Sequence, residues 1–345
     1  MRYKIMGVVA MAALGTLLLA QPALAQAVEA GPTLAGVRAK GYLACSGNVG
    51  SAGFGVPDSR GEQQGLDPDI CRAVAAAVLG DPNRIRWTVV TSQMRITALQ
   101  SGELDMVART FTWTHAREVA AGLQFGPTVF FDGQGFIVRK AAGVNHATEL
   151  NGATVCVGSG STNELNLADW ARTNHIQLRP VVFENIEDTR LAYLSGRCDA
   201  YTLDASQLAG FLSTLPRGEH MILPEIISKE PLTPAVRKGD QQWFDIMRWT
   251  IYALFNAEEL GVTQANVDEM LNSPNPEVQR LLGVTGNFGP SMGLDQRWAY
   301  NAIKAVGNYG EIFERHLGPN SPLGLPRGLN NLWNHGGLIY APPIR

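Results

Sequence analysis

The chain predicts an α/β fold in two lobes, and three observations carry that reading. Short β-rich runs alternate with helical patterns along its whole length, which points to α/β layers around mostly parallel sheets. At 345 residues it is long enough for about two domains. Two extended segments, Gly135-Phe-Ile-Val-Arg-Lys140 and Leu232-Thr-Pro-Ala-Val-Arg-Lys238, end alike and flank a compact central α/β series. They read as paired crossovers, two hinge strands joining the lobes. The first lobe is then discontinuous, residues 26–136 plus 232–345, and the second spans 137–231. One larger sheet is the alternative, and it needs a single domain larger than cores usually grow.

The elements follow in order. Gly41–Ser46 is a first strand, and Asp67 caps a helix that runs through Ala77 and is ended by Gly80. Ile85–Val90 is a strand, Met94–Gln100 a short helix and Leu104–Val107 a strand. The central series is strand 153–157, helix 163–172, strand 178–183, helix 187–194, strand 199–202 and helix 205–215. Beyond the second extended segment, Phe244, Met247, Ile251, Leu254 and Phe255 recur at helical spacing along a helix from about Asp240 to Ala257.

Arg2 and Lys4 precede an apolar run, and Ala23-Leu-Ala25 is a small-x-small cleavage site, so residues 1–25 read as a secretory signal peptide. A retained membrane anchor is the competing reading. No later stretch reaches the roughly 18 apolar residues that span a bilayer. Loss of Arg2 and Lys4 leaves 26 basic against 31 acidic residues and moves the net charge from −3 to −5. With no basic stripe, nucleic acid is not an expected partner. Four cysteines in an exported chain suggest disulfides. Three pairings are open. Cys45–Cys71 and Cys156–Cys198 are favoured, because each joins neighbouring elements and closes a modest loop. No C-x-x-C occurs and the histidines are scattered, so no metal or cofactor is expected.

Three clusters suggest a binding site. Thr110-Phe-Thr-Trp-Thr-His-Ala-Arg117 places hydroxyls and one guanidinium after a short apolar strand, with Thr114 as N-cap of a helix carrying Arg117 in its first turn. Arg117 can grip a carboxylate with two parallel bonds, and a helix N-terminus would add free amides. Val155-Cys-Val-Gly-Ser-Gly-Ser-Thr162 is a strand running into a glycine-rich loop that opens a helix, with Ser161 either facing a ligand or simply capping. It lacks the full glycine pattern of nucleotide sites. Asp204 ends a short strand and starts a helix, where it can oppose an ammonium or act as a plain cap. All three lie at strand ends, where α/β sheets bind ligands.

These residues, with Gly65-Leu-Asp-Pro-Asp69, Thr97-Ala-Leu-Gln-Ser-Gly-Glu-Leu-Asp105, Phe130-Phe-Asp-Gly-Gln-Gly-Phe136, Glu164-Leu-Asn-Leu-Ala-Asp169 and Pro224-Glu-Ile-Ile-Ser-Lys-Glu-Pro-Leu232, make the chain resemble the periplasmic substrate-binding proteins of polar amino-acid ABC transporters, and among them the general L-amino-acid-binding proteins. The resemblance implies a type II clamshell that closes on one L-amino acid and hands it to the permease subunits of an importer in the membrane. It implies a periplasmic monomer that is no enzyme. The family's carboxylate-binding arginine falls on Arg117, its hydroxyl ligands on Thr110 and Thr112, its loop contact on Thr162 with Ser161 beside it, and its ammonium-binding acid on Asp204. Arg95 matches the position that grips a side-chain carboxylate in glutamate/aspartate binders. A histidine of some such binders has no counterpart, Ile186 falling near its place, so the implied spectrum is broad. The tail from Gly286 to Arg345 is longer than in smaller relatives, and its Trp298, Tyr300, Trp333 and Tyr340 are expected to pack on the first lobe. A dehydratase-like or hydrolytic secreted enzyme on the same clamshell is the rival. No Gly-x-Ser-x-Gly elbow supports it, and His115 reads as a surface residue.

Overall fold

The computed structural model describes residues 28–345, and the expected signal peptide lies outside them. Among the described residues no helix is long and apolar enough to cross a membrane.

The central unit is a five-stranded sheet ordered His220–Ile222, Gln134–Arg139, Ala200–Asp204, Thr154–Gly158, Arg179–Phe183. The last three strands are parallel, and Gln134–Arg139 runs antiparallel to both its neighbours. Side chains alternate across this sheet. Phe136, Val138, Val155 and Val157 pack on one face with Leu167 and Trp170 of helix Thr162–Thr173. Ile137, Cys156 and Tyr201 pack on the other with Ala192 and Tyr193 of Ile186–Leu194 and Leu208 and Phe211 of Ala205–Ser213. Both faces are covered, which is why these strands read as continuous apolar runs.

The flanking unit pairs Leu43–Gly47 with Ile85–Val89 in parallel. The expected strand over 104–107 contributes only single bridges, Cys45 to Met106 and Val107 to Ala235. Helices Leu66–Leu79, Gln241–Glu259, Trp298–Val306 and Tyr309–His316 share one core with these strands. Asp67 is not the N-cap. It lies buried in the first turn and accepts the Thr110 amide at 2.7 Å, while Gly65 takes the cap position. Gly80 ends that helix as expected, in the left-handed conformation.

The crossovers differ from the expected pairing. The two look-alike segments do not pair with each other. Gly135–Arg139 is an interior strand of the central sheet, and Ala235–Arg237 pairs with Leu123–Phe125. The crossover pair itself is Phe130–Asp132 with Glu230–Leu232. Their shared Val-Arg-Lys ending reflects two strand exits and says nothing about partnership.

Disulfides join Cys45 to Cys71 and Cys156 to Cys198, one in each unit. Their loops of 26 and 42 residues correspond to about 3–4 kcal/mol each on the loop-entropy model. In the C-terminal segment Trp298 enters the core, and Tyr309 donates its hydroxyl to the Val129 carbonyl at 2.7 Å. Trp333 and Tyr340 pack edge to face on each other at the surface of the flanking unit, where the Trp333 indole donates to Glu259 of helix Gln241–Glu259 at 3.2 Å and both rings stay half exposed or more.

Candidate functional site

A narrow cavity of about 60 Å³ lies between the two units, nearly closed over by their walls. Arg95, Thr110 and Thr112 line it from the flanking unit, and Ser161, Thr162 and Asp204 from the central one. Arg117 stands behind this lining. Its guanidinium donates to the Thr112 carbonyl at 2.7 Å and reaches across to the Gly160 carbonyl at 3.5 Å.

The Thr/Arg run folds for a reason visible in its backbone. Thr110 has a φ of +39°, a left-handed conformation that β-branched residues rarely adopt. The buried Asp67 carboxylate holds it there by accepting its amide. Strain of this kind collects at ligand sites. Arg117 rides on a single π-helical turn, Ala116–Ala120, and its amide donates to the Thr114 hydroxyl at 3.3 Å. The expected helix N-terminus is therefore too short to bind an anion, and the cation is the guanidinium itself.

Arg95 lies on helix Met94–Ser101, 3% exposed, and donates to the Arg109 and Thr110 carbonyls at 2.8 and 3.2 Å. Arg95 and Arg117 both stand over the Phe111 ring, at 4.2 and 4.8 Å from its centre. Burial pulls the Arg117 pKa down to about 10, against the Glu230 and Asp204 charges that raise it. Burial pulls Arg95 down further, helped by the like charges of Arg117 and Arg109.

Asp204 is no plain cap, since its side chain bonds no helix amide. It accepts from Asn163 Nδ2 at 2.9 Å and Gln207 Nε2 at 3.0 Å. Burial, then the Asp132 and Glu230 carboxylates, hold its pKa well above the usual range. Burial likewise pushes Asp132 up to about 6. Ser161 does cap: its hydroxyl accepts the Glu164 amide and donates to the Gly158 carbonyl. The loop glycine serves contact between the walls. Gly160 has φ +65°, and a Cβ there would lie 3.1 Å from Gln93 Cα of the opposite wall. His115 is exposed.

Sequence reasoning missed Glu230, Arg109, Asn163, Gln207 and Ser51. Glu230 on the crossover accepts from Thr112 Oγ1 at 2.6 Å and Thr162 Oγ1 at 2.7 Å, one from each wall. Ser51 donates to Gln207 Oε1 at 2.8 Å, again across the cleft. Gln207 could have been found, since it follows Asp204 by three residues along one helix face. Glu230 sits in a charged run that looks like solvated surface.

Known proteins share this sequence and architecture. Residues 46–265 match the model of the bacterial extracellular solute-binding proteins, family 3. The chain is 55% identical to the general L-amino acid-binding periplasmic protein AapJ of Rhizobium johnstonii, over 97% of this chain and 98% of that one. It is 49% identical to the glutamate/glutamine/aspartate/asparagine-binding protein BztA of Rhodobacter capsulatus, over 94% and 96%. A periplasmic binding protein from Brucella ovis, solved with glutathione bound, superposes with a TM-score of 0.88 at 51% identity, covering 92% of this chain and all of that one. Fold, cleft and sequence agree: the chain belongs to the bacterial extracellular solute-binding proteins of family 3, built as a two-lobed clamshell.

Proposed function

We propose that this protein captures L-amino acids in the periplasm and delivers them, as a monomer, to the permease subunits of an ABC importer. The observation that carries the reading is the opposition of a buried guanidinium on one wall to a buried carboxylate on the other. A zwitterion needs both. Arg117 takes the α-carboxylate and Asp204 the ammonium; Thr110, Thr112, Ser161 and Thr162 supply hydroxyl and loop contacts, and Arg95 meets the side chain. Neither wall satisfies the ligand alone, so the ligand favours the closed state through its differential contacts. The lobes in this reading are residues 26–136 with 232–345, and residues 137–231. Names of relatives support a broad spectrum: one is a general L-amino acid binder, another takes glutamate, glutamine, aspartate and asparagine, and a solved relative holds glutathione. A preference for polar or acidic L-amino acids follows from Arg95. Micromolar affinity needs about 8 kcal/mol net, which paired buried charges with satisfied hydrogen bonds can supply.

The test is incubation of the ligand-stripped protein with a panel of amino acids, reading both heat of binding and the fate of the ligand. Stoichiometric binding without turnover is expected. Chemical conversion of any amino acid would move the chain to the enzyme reading.

A further inference from the structure

The cleft holds more buried cation than a zwitterion uses. Arg117 answers the α-carboxylate from behind the lining in the amino-acid reading, yet two further guanidinia, Arg95 and Arg109, line the cavity itself at 3% and 8% exposure. Among the described residues neither forms an ion pair. Each has a buried Nε–H with no hydrogen-bond partner. Arg109 makes one side-chain contact, a long 3.4 Å bond from Nη1 to the Ser92 hydroxyl, and Ser92 also lines the cavity. Burial pulls the Arg109 pKa down to about 10, outweighing the charge of Asp67, the nearby anion, which raises it. Among the described residues no Asp67 oxygen lies within ion-pairing distance, and its Oδ2 accepts the Thr110 amide. Buried charge without a partner is costly, and a missing partner at a cavity wall is one the ligand brings.

Acidic groups on the remaining walls do not fill the role. Asp204 is held by Asn163 and Gln207 and, in the amino-acid reading, meets the ammonium. Glu184 lines the mouth from the central lobe and is exposed to solvent, where water and salt screen it.

We propose that Arg109 is a second carboxylate-binding residue of this cavity, joining Arg95 to hold an anionic ligand side chain. The inference rests on the amino-acid reading of the site and names its favoured class, dicarboxylic amino acids and other ligands with a second carboxylate. A guanidinium pair offers more donors than one carboxylate can use, so ligands of different length can be met by either fork. That also explains how a broad binder keeps a polar or acidic bias.

The test is calorimetric titration of wild type and Arg109→Gln with L-glutamate and L-glutamine, which are nearly the same shape and differ in a carboxylate against a neutral amide. The ratio of the two dissociation constants in favour of glutamate is expected to shrink by roughly tenfold in the variant. An unchanged ratio overturns the proposal and leaves the amino-acid reading standing. Wild type that binds neither ligand nor any other amino acid overturns that reading, and this inference with it. Should Arg109→Gln not fold, the same ratio in Arg109→Lys decides. A narrowing of about threefold or more supports the fork, because lysine keeps the charge and loses the planar donor pair; no narrowing overturns it.

Discussion

The two walls of the cleft are opposites in charge and in how that charge is held. On the flanking lobe, Arg95, Arg109 and Arg117 are buried with backbone carbonyls and a serine for company and, among the described residues, no ion pair. On the central lobe, Asp204 is fixed by two amide side chains, and on the crossover Glu230 accepts hydroxyls from both walls. The basic wall carries its charge on carbonyl and hydroxyl contacts. The acidic wall is preorganised around a carboxylate that already has neutral donors. In the proposed reading the difference divides the work: the basic wall selects ligands by their carboxylates, and the acidic wall with its crossover holds the lobes in register.

Breaking the basic wall has the largest expected effect. Arg117→Ala removes the charge-assisted partner of a buried α-carboxylate and should weaken every amino acid by about 3–5 kcal/mol while leaving folding nearly intact. Titration calorimetry checks it, and unchanged affinity removes Arg117 from the site. Cutting the acidic lobe's own staple comes next. Replacing Cys156 and Cys198 together by alanine should lower stability by about 3–4 kcal/mol, read by denaturant unfolding. A smaller loss would place the stability of the central sheet in its packing.

The acidic wall also predicts a pH dependence. Burial, with the Asp132 and Glu230 charges, raises the Asp204 pKa, so a proton bound there at low pH is one that a ligand ammonium would expel. Proton release on binding means that affinity should rise with pH, by roughly tenfold between about pH 5 and 8. Calorimetry in buffers of different ionisation enthalpy should show protons leaving on binding; proton uptake would reverse the assignment. The smallest effect concerns the rim. Arg190 of the central lobe donates to the Gly50 carbonyl at 2.5 Å and is pinned by Glu187 at 2.8 Å. Arg190→Ala should cost about 1 kcal/mol, seen as faster release in stopped-flow displacement.

Much of this is legible in the sequence. The alternation of strands and helices places the central series within a residue or two at most ends, and in the flanking lobe Gly80 and Asp240 mark helix ends correctly. Thr112 and Arg117 stand out as a run of hydroxyls and one guanidinium after an apolar stretch, and Asp204 because it ends an apolar strand. The rest depends on tertiary contact. Nothing local says that Asp67 will hold a strained Thr110, that Glu230 will be buried, or that Arg109 will face a cavity. The paired crossovers are misread when strand endings are matched by residue type, whereas pairing is fixed by register through Phe130–Asp132 and Glu230–Leu232.

The central claim is that one zwitterion bridges the two walls through both of its charges. Titration of the ligand-stripped protein with L-glutamine, N-acetyl-L-glutamine and the α-amide of L-glutamine tests it most directly, since each derivative silences one end. Either block is expected to lower affinity by roughly a hundredfold or more. A blocked derivative that binds as tightly as L-glutamine would show that its wall does not read that charge, and would contradict the claim.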